Sequence, residues 1–364
     1  MALPVKTNLS MDELMKNGVN VAGVSELMHE IRDDFAQGVF QYDAEAQWAG
    51  GNALLAFVNS ARIGSVKSAR DFQWRVTFAE DASVSEVAGG ELVFTPEELA
   101  LTGLGACAML TMVKGATTCG RNIQSLRFTV KGKHYPKDAQ QPAILKDFDY
   151  RVDFEAESEQ DNLLFAEVLK KLSNHSPNHR TIVERNAIRV GDSNLELASV
   201  KAVEPESTAR ELIVRMDWEY GFQLLVTYDE VRYTRVDQPK QAGGIDKGAN
   251  PQEILMSAFA ACLSKTFIAL AADEGLSLNG LNVRTTGYVD MRGMLGIDPS
   301  VPSKLQAIKA DFRIDSELPA SAFDDLITRA IETSPVARLL IEPQQVKLNL
   351  FRDGQQLLEL VSQG

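Results

Sequence analysis

Two segments of this chain, 155 residues apart, repeat one pattern of residues. Residues 94–120 are FTPEELALTGLGACAMLTMVKGATTCG, and residues 249–275 are ANPQEILMSAFAACLSKTFIALAADEG. In both segments a proline precedes a cysteine by 11 residues and a glycine follows it by 13; the matched pairs are Pro96 and Pro251, Cys107 and Cys262, and Gly120 and Gly275. A match at these fixed spacings indicates that the chain is a tandem duplication.

A second pair of matched segments lies further along each repeat. Residues 175–182 are HSPNHRTI and residues 333–340 are TSPVARLL, so Ser176 corresponds to Ser334. The serine follows the cysteine of its own repeat by 69 residues in the first copy and by 72 in the second. Two long copies, rather than many short ones, favour a pseudo-dimer in which the repeats pack together like the subunits of a symmetric dimer.

Each repeat has strand-like and helix-like segments in the same order. Strand-like runs precede a long helix, and two further strands, a second helix and a last strand pair follow it. The second helices are predicted over 160–175 and 319–334, and the last strand pairs around 187–203 and 344–361. The long helices are apolar nearly all round, which predicts that they are buried at the centre. We therefore predict an α+β fold in which antiparallel sheets pack on long central helices.

Residues 1–37 precede the first repeat and have no counterpart before the second. Ser10 with Glu13 resembles a helix-capping box, and Leu27, Ile31 and Phe35 recur at helical spacing, so we predict a helical arm. Packing of this arm against the body is one interpretation, and a regulatory or oligomer contact is the other. A polar, proline-bearing stretch indicates a boundary near residue 205. The predicted domains are the extension 1–37 and the repeats 38–204 and 205–364.

The composition limits the classes of partner. The net charge of −13 argues against nucleic acid or an anionic membrane, which leaves a neutral or apolar small molecule. Three cysteines at no framework spacing disfavour a disulfide-stapled secreted fold, and the N-terminal residues lack the apolar segment of a signal peptide. We therefore expect a cytoplasmic protein. No phosphate loop or dinucleotide motif is visible, and Pro177 breaks the helical register of His175 and His179, so neither a cofactor nor a metal is expected.

Each repeat contains a predicted strand hairpin, an (N/T)-P-x-E-(L/I) segment, an Ala-Cys pair in an apolar helix and a later Ser-Pro turn. This set of motifs resembles the OsmC/Ohr family, the osmotically inducible and organic-hydroperoxide-resistance proteins. The resemblance covers about 320 of the 364 residues in two copies and leaves out only the N-terminal arm. Family members are homodimers with interlocked subunits and long helices at the centre. The resemblance implies two fused OsmC-like units, and leaves open whether the fused chain associates further.

The best-known family members reduce organic hydroperoxides with two cysteines. One cysteine on the central helix attacks the peroxide, and a second cysteine in the later turn resolves the sulfenic acid. By position, the resemblance assigns the attacking role to Cys107 and Cys262, and places Ser176 and Ser334 where the resolving cysteines would stand. This chain therefore lacks the residues that would form the disulfide in either copy.

The family's activating arginine is also absent from its expected place. The first hairpin turn is WAGGNALL in one copy and WEYGFQLL in the other, without arginine. Arg62, Arg215 and Arg232 lie on nearby predicted strands, but none falls at the matching position. The family's supporting glutamate after the proline is retained as Glu97 and replaced by Gln252 in the second copy.

Helix geometry constrains how these residues meet. Glu97 lies ten residues before Cys107, about 15 Å along a straight helix, so the two cannot meet within one helix. Antiparallel central helices would instead bring Glu97 near Cys262 and Gln252 near Cys107, and we expect the Cys262 site to be the better equipped. Cys119 lies roughly 18 Å from Cys107 along the helix, beyond disulfide reach, and is predicted to be a buried filler.

Two functions from different classes follow. The first is a one-cysteine organic hydroperoxide reductase in a peroxide response, with Cys262 and Cys107 as nucleophiles and an external thiol as reductant. The second is a non-catalytic member that binds a small apolar ligand or senses oxidants through its thiol. Enzyme activity is left open at this point, because free cysteine is also a common buried residue. An arginine near either sulfur would favour the enzyme, and an arginine-free apolar pocket would favour the binding protein.

Overall fold

The computed structural model describes residues 15–79, 92–137, 141–155, 158–191, 195–201, 203–205 and 208–362. The α-helices of these residues are α1 Val21–Asp33, α2 Pro96–Thr118, α3 Glu159–Lys170, α4 Leu172–His175, α5 Pro177–Val183, α6 Pro251–Asp273, α7 Met291–Met294, α8 Asp324–Thr333 and α9 Pro335–Ile341, and short 3-10 helices cover Phe35–Gly38, Lys240–Ala242 and Ala320–Phe323. The first-repeat strands and the arm strands are β1 Met15–Lys16, β2 Val19–Asn20, β3 Val39–Trp48, β4 Ala53–Ile63, β5 Val66–Thr77, β6 Val93–Phe94, β7 Ser125–Tyr135, β8 Ile144–Glu155, β9 Ile188–Val190 and β10 Glu196–Leu197. The second-repeat strands are β11 Arg210–Tyr220, β12 Gln223–Thr227, β13 Tyr233–Val236, β14 Gly280–Asp290, β15 Gln306–Asp315, β16 Val346–Arg352 and β17 Gln355–Ser362.

The strands form two large sheets, and each sheet contains strands from both repeats. One has eight strands in the order β10-β9-β15-β14-β3-β4-β5-β6, and the other has seven in the order β13-β12-β11-β7-β8-β16-β17. In the first, β3 pairs antiparallel with β14; in the second, β7 pairs antiparallel with β11. Most pairs are antiparallel, as predicted, while β8–β16, β9–β15 and β5–β6 are parallel. The two repeats are therefore interlocked through their backbones.

The duplication extends to single hydrogen bonds in the first hairpin of each repeat. The indole Nε1 of Trp48 donates to the carbonyl of Gly51, and the indole Nε1 of Trp218 donates to the carbonyl of Gly221, both at 3.0 Å. In each Ser-Pro turn the proline starts a further short helix, α5 or α9, which was not predicted from the sequence.

The long helices α2 and α6 start at matched capping boxes. The hydroxyl of Thr95 accepts from the amide of Glu98 at 3.2 Å, and the Glu98 carboxylate accepts from the amide of Thr95 at 2.9 Å. Asn250 and Glu253 make the same exchange at the start of α6. Proline at the first helical position suits each start, because the missing amide would have no partner there.

Both long helices span 23 residues, and the turn after each contains a glycine in the left-handed conformation. Gly120 has φ of 69° and Gly275 has φ of 68°, a region that favours glycine. By length and composition alone both helices could cross a membrane, but 89% and 72% of their most apolar windows are buried within the protein. Their apolar surface is thus covered by the two sheets and by each other.

The predicted arm is helical only in part and packs against the body. The capping box of Ser10 and Glu13 lies outside the described residues. In α1, Ile31 is fully buried and Leu27 is partly buried, as helical spacing predicts. Phe35 departs from the prediction: it follows the helix end, is 55% exposed, and lies under the guanidinium of Arg292 at 4.7 Å.

Candidate functional site

The start of each central helix lies beside the middle of the other. The Nε2 amide of Gln252 lies 3.3 Å from the sulfur of Cys107, and the carboxylate of Glu97 acts electrostatically on Cys262. This cross-helix proximity is what antiparallel helices were expected to produce. The close crossing requires a glycine, because a Cβ at Gly103 would lie 2.9 Å from the carbonyl oxygen of Pro251.

Cys107 is buried but surrounded by groups that favour its thiolate. Burial raises its pKa, and four groups oppose that rise: the Ser176 side chain, the backbone amide of Asn178, the charge of Lys114 and the amide of Gln252. The Ser176 hydroxyl has no other hydrogen-bond partner among the described residues, so it is free to donate to the sulfur. Burial dominates, and the Cys107 pKa remains above its usual value.

Asn178, a residue not predicted from the sequence, fixes the geometry around Cys107. Its side-chain nitrogen donates to the carbonyl oxygens of Gly103 at 2.8 Å and Pro251 at 2.9 Å. It therefore joins both central helices to the turn that contains Ser176. The only sequence signal was its position two residues after that serine, and the second repeat has Val336 there instead.

Cys262 occupies on α6 the position that Cys107 occupies on α2, but different charges surround it. Only 1% of it is exposed, and burial together with the Glu97 charge raises its pKa to about 12. The side chain of Ser334, the backbone amide of Val336 and the charge of Lys265 oppose this rise without overcoming it. At neutral pH this thiol is therefore almost entirely protonated.

We expected the Cys262 site to be better equipped than the Cys107 site to stabilise a thiolate, and the charges around Cys262 argue against this. Burial acts to raise the pKa of Glu97, but Lys265 and His134, whose Nε2 lies 3.9 Å from the carboxylate, hold it below its usual range. Glu97 is thus an anion next to the sulfur, and an anion disfavours a thiolate. The described influences on the Cys262 thiol include no arginine, although Arg210 is among the charges that lower the pKa of Glu97, so the carboxylate opposes the thiolate that it was expected to support.

No arginine is among the described groups that most affect the pKa of Cys107 or of Cys262. The main cationic influence is Lys114 at Cys107 and Lys265 at Cys262. Arg62 and Arg215 are exposed on β4 and β11. The arginine-free condition set out from the sequence is therefore met by the residues described around the two sulfurs.

Two buried arginines instead clamp the helix starts. Arg232 donates from Nη1 and Nη2 to the carboxylate of Glu98 at 2.9 and 2.8 Å. Arg70 donates from Nε and Nη2 to the carboxylate of Glu253 at 2.7 and 2.9 Å. Each clamp joins one repeat to the other, since the arginine and the glutamate come from different copies. The glutamate repeated at the third helical position was a signal that the sequence analysis did not use.

Cys119 differs from its prediction. It is exposed at the C-terminal cap of α2 and is not a buried filler. The helix ends at Thr118, so the residue falls beyond the last packed turn. All three cysteines are free thiols in this structure.

Cys107 lines a small empty space that neighbours a larger cavity. The small space has a volume of about 20 Å³, large enough for one water-sized group. The larger cavity has a volume of about 500 Å³, and the two share six lining residues: Thr111, Lys114, His175, Ala242, Met291 and Met294. The larger cavity also contacts Cys119.

The N-terminal arm forms one wall of the larger cavity. Val19, Val21, Val24, Leu27 and Met28 line it from the arm. The opposite walls come from α2, α3 and the segment around α7, and are mostly apolar. Packing of the arm against the body therefore produces a cavity that the repeats alone would leave open on this side.

The two histidines around Pro177 have separate partners. His175 Nδ1 lies 3.0 Å from the carbonyl oxygen of Met294, and His179 Nε2 lies 2.9 Å from the hydroxyl of Ser362. Burial lowers the pKa of His179 to about 3, so its ring is neutral. Within the described ranges no group of three or more histidine, cysteine, aspartate or glutamate residues could hold a metal ion.

Comparison with known proteins identifies the family. The model of the OsmC-like protein family matches residues 89–191 and 244–349, one match in each repeat. The chain is also similar to a crystal structure of a protein assigned to organic hydroperoxide resistance from Vibrio cholerae O1 biovar eltor str. N16961, with captopril bound in one of its active sites. The two are 17% identical with a TM-score of 0.27, and the match covers 36% of this chain and 85% of that chain. No curated protein sequence matches the chain. The chain belongs to the OsmC-like protein family and contains two fused OsmC-like units.

Proposed function

We propose that this protein binds a small, mainly apolar molecule in the cavity between the N-terminal arm and α2, next to the Cys107 thiol. The observation that carries this proposal is the cavity itself, about 500 Å³ with mostly apolar walls. Its size and lining are those of small-molecule sites in proteins. A cavity of this kind in water favours an apolar occupant, because filling it removes apolar surface from solvent.

Catalysis receives less support than binding. Burial raises the pKa of both helix thiols, and at Cys262 the charge of Glu97 raises it further. The groups at the positions assigned to resolving cysteines are serines, which cannot form a disulfide. A thiol that is mostly protonated and has no resolving partner reacts slowly with peroxides and needs help to recover.

One observation favours a second candidate, slow one-cysteine reduction of organic hydroperoxides at Cys107. The Cys107 sulfur has an amide donor, Gln252, at 3.3 Å, and Cys107 lines the small space beside the cavity. Its thiolate would attack the peroxide to give a sulfenic acid and an alcohol. Two molecules of an external thiol would then restore the cysteine and leave one disulfide and one water. The external reductant requires a reducing compartment, and the cytoplasm is the proposed one.

Binding and turnover are tested on the same protein. Binding is followed by the fluorescence of 1-aminoanthracene, an uncharged apolar probe, and by its displacement with dodecanol. Saturable, displaceable binding supports the binding function, while a linear, non-displaceable signal contradicts it. Replacing Leu27 in the arm by Asp should weaken probe binding, because Leu27 lines the cavity, whereas Leu163→Asp on the exposed face of α3 should not.

Turnover is tested with cumene hydroperoxide and a sulfenic-acid trap, and the three cysteines are followed separately by mass spectrometry. Rapid trapping at Cys107 would support the enzyme, and Cys107→Ser should abolish it. Oxidation of Cys107 no faster than that of exposed Cys119 would leave binding as the function. Trapping first at Cys262 would contradict the charge assignment of both sites.

A further inference from the structure

Lys114 has no carboxylate partner among the described residues, although it lies in apolar surroundings. It is on α2, seven residues after Cys107, and lines both the small space at the sulfur and the larger cavity. Its Nζ lies 5.5 Å from the centre of the Phe222 ring, and the charges of Lys114 and Cys107 act on each other. Lys114 is half-buried, and partial loss of the water around an ammonium is unfavourable unless a partner replaces that water.

The other polar groups of the cavity wall have partners. Lys171 lies 3.9 Å from Glu167, and Glu167 also pairs with Lys170 at 2.9 Å. The Thr111 hydroxyl donates to the carbonyl of Cys107 at 2.9 Å, and the Thr118 hydroxyl donates to the carbonyl of Lys114 at 2.9 Å. Within the described part of the wall, Lys114 is thus the ionic group whose charge is not compensated.

The position of Lys114 gives the cavity two unlike ends. Lys114 stands where the small space and the large cavity meet. Most of the other lining residues of the larger cavity are aliphatic or aromatic, among them Val24 and Leu27 of the arm, Val168 of α3 and Phe222. An occupant matched to these walls has one anionic end and an apolar body.

We propose that the ligand of this cavity is an aliphatic monocarboxylate, with its carboxylate paired to Lys114 and its hydrocarbon chain between the arm and α3. This proposal rests on the proposed binding function and specifies its ligand class. A carboxylate supplies one compact negative charge for one ammonium, and the methylene chain fills the apolar cavity. Burial lowers the pKa of Lys114 against the opposing effect of Cys107, and a bound carboxylate would stabilise the charged form.

The arrangement also couples the ligand to the thiol. A carboxylate at Lys114 places a negative charge near Cys107 and takes away the free cation that favours its thiolate. Bound monocarboxylate should therefore slow the alkylation of Cys107. Uncharged dodecanol in the same cavity leaves Lys114 unpaired and should slow it less.

The test compares dodecanoate with dodecanol as displacers of 1-aminoanthracene. We expect dodecanoate to bind about tenfold more tightly than dodecanol, as a partly buried charge pair allows. Shortening the acid should weaken binding about fourfold for each methylene removed. Lys114→Met, which keeps the apolar stem, should remove the preference for the acid while dodecanol still binds.

A matched control removes the same charge outside the cavity. Lys170 lies on the exposed side of α3, so Lys170→Met should leave the preference for dodecanoate over dodecanol unchanged. Equal affinity for acid and alcohol in the unmodified protein, or an equal loss in both lysine variants, would overturn the monocarboxylate assignment and leave the binding function intact. Failure of both dodecanoate and dodecanol to displace the probe would instead overturn the binding function itself.

Discussion

Exchanging Glu97 and Gln252 between the two sites should exchange the reactivities of Cys262 and Cys107. In the native chain the Glu97 carboxylate raises the pKa of Cys262, while the Gln252 amide donates to the sulfur of Cys107. Glu97→Gln removes the anion and leaves the charge of Lys265 to act on the thiolate alone. Gln252→Glu replaces a donor with an anion at 3.3 Å from the other sulfur.

The expected magnitude follows from the charges. A like charge close to an ionisable group shifts its pKa by about 1–3 units, and each unit changes the thiolate fraction tenfold. The charge of Glu97 is partly compensated by Lys265 and His134, so we take the lower end of that range. Glu97→Gln should therefore raise the thiolate fraction of Cys262 about tenfold at neutral pH. Burial, the larger cause of the raised pKa, stays in place, so Cys262 should still be mostly protonated.

The assay is alkylation by iodoacetamide, a small neutral reagent, with each cysteine quantified by mass spectrometry. Cys119 is exposed and serves as the reference rate in every sample. Hydrogen exchange of α2 and α6 checks that neither variant opens the helices. An unchanged Cys262 rate in Glu97→Gln, with unchanged exchange, would refute the argument and show that burial alone controls this thiol. A faster Cys107 in Gln252→Glu would refute it independently.

Three further predictions concern stability. Arg70→Met leaves the Glu253 carboxylate buried without its ion pair and should lower the free energy of unfolding by about 3–5 kcal/mol; denaturant titration should show partial recovery when Glu253→Gln is added, and no recovery would contradict the clamp. His179 is neutral in the folded protein, with a pKa lowered from 6.5 to about 3, so the unfolded state binds a proton that the folded state does not. Its contribution is present above pH 6.5 and should be lost by about 1.4 kcal/mol per pH unit as the pH falls towards 3, and His179→Gln should show a shallower acid profile; identical profiles would contradict a buried neutral imidazole. Gly103→Ala places a Cβ against the carbonyl of Pro251 and should destabilise the protein by about 1–3 kcal/mol in thermal unfolding, with an unchanged Tm contradicting the close crossing.

The sequence predicted the architecture because the repeat and the helix signals are local. Apolar residues nearly all round the long helices were enough to predict that α2 and α6 are buried at the centre. Glu97 and Cys107 are too far apart along one helix to meet, so contacts between antiparallel helices were expected, and Gln252 does lie next to Cys107. These conclusions depend on spacing along the chain, which the sequence contains.

The electrostatics of the site could not be obtained in this way. Resemblance to the family predicts Glu97 as a support for a thiolate, but the sign of its effect depends on whether an arginine lies between carboxylate and sulfur. The structure instead places Arg70 and Arg232 on Glu253 and Glu98. Those pairs join segments 183 and 134 residues apart, and no local pattern fixes such a choice.

By itself, the sequence determined that this chain is two fused copies of one α+β unit with a cysteine on each buried central helix. The tertiary structure decided how the two copies differ. It joined strands of both repeats in each sheet, laid the arm over one side of α2, and so produced a cavity at Cys107 with Lys114 in its wall. The physical reason is that a cavity and the sign of a local charge depend on which distant segments pack together, and two copies with nearly the same local signals can have different neighbours.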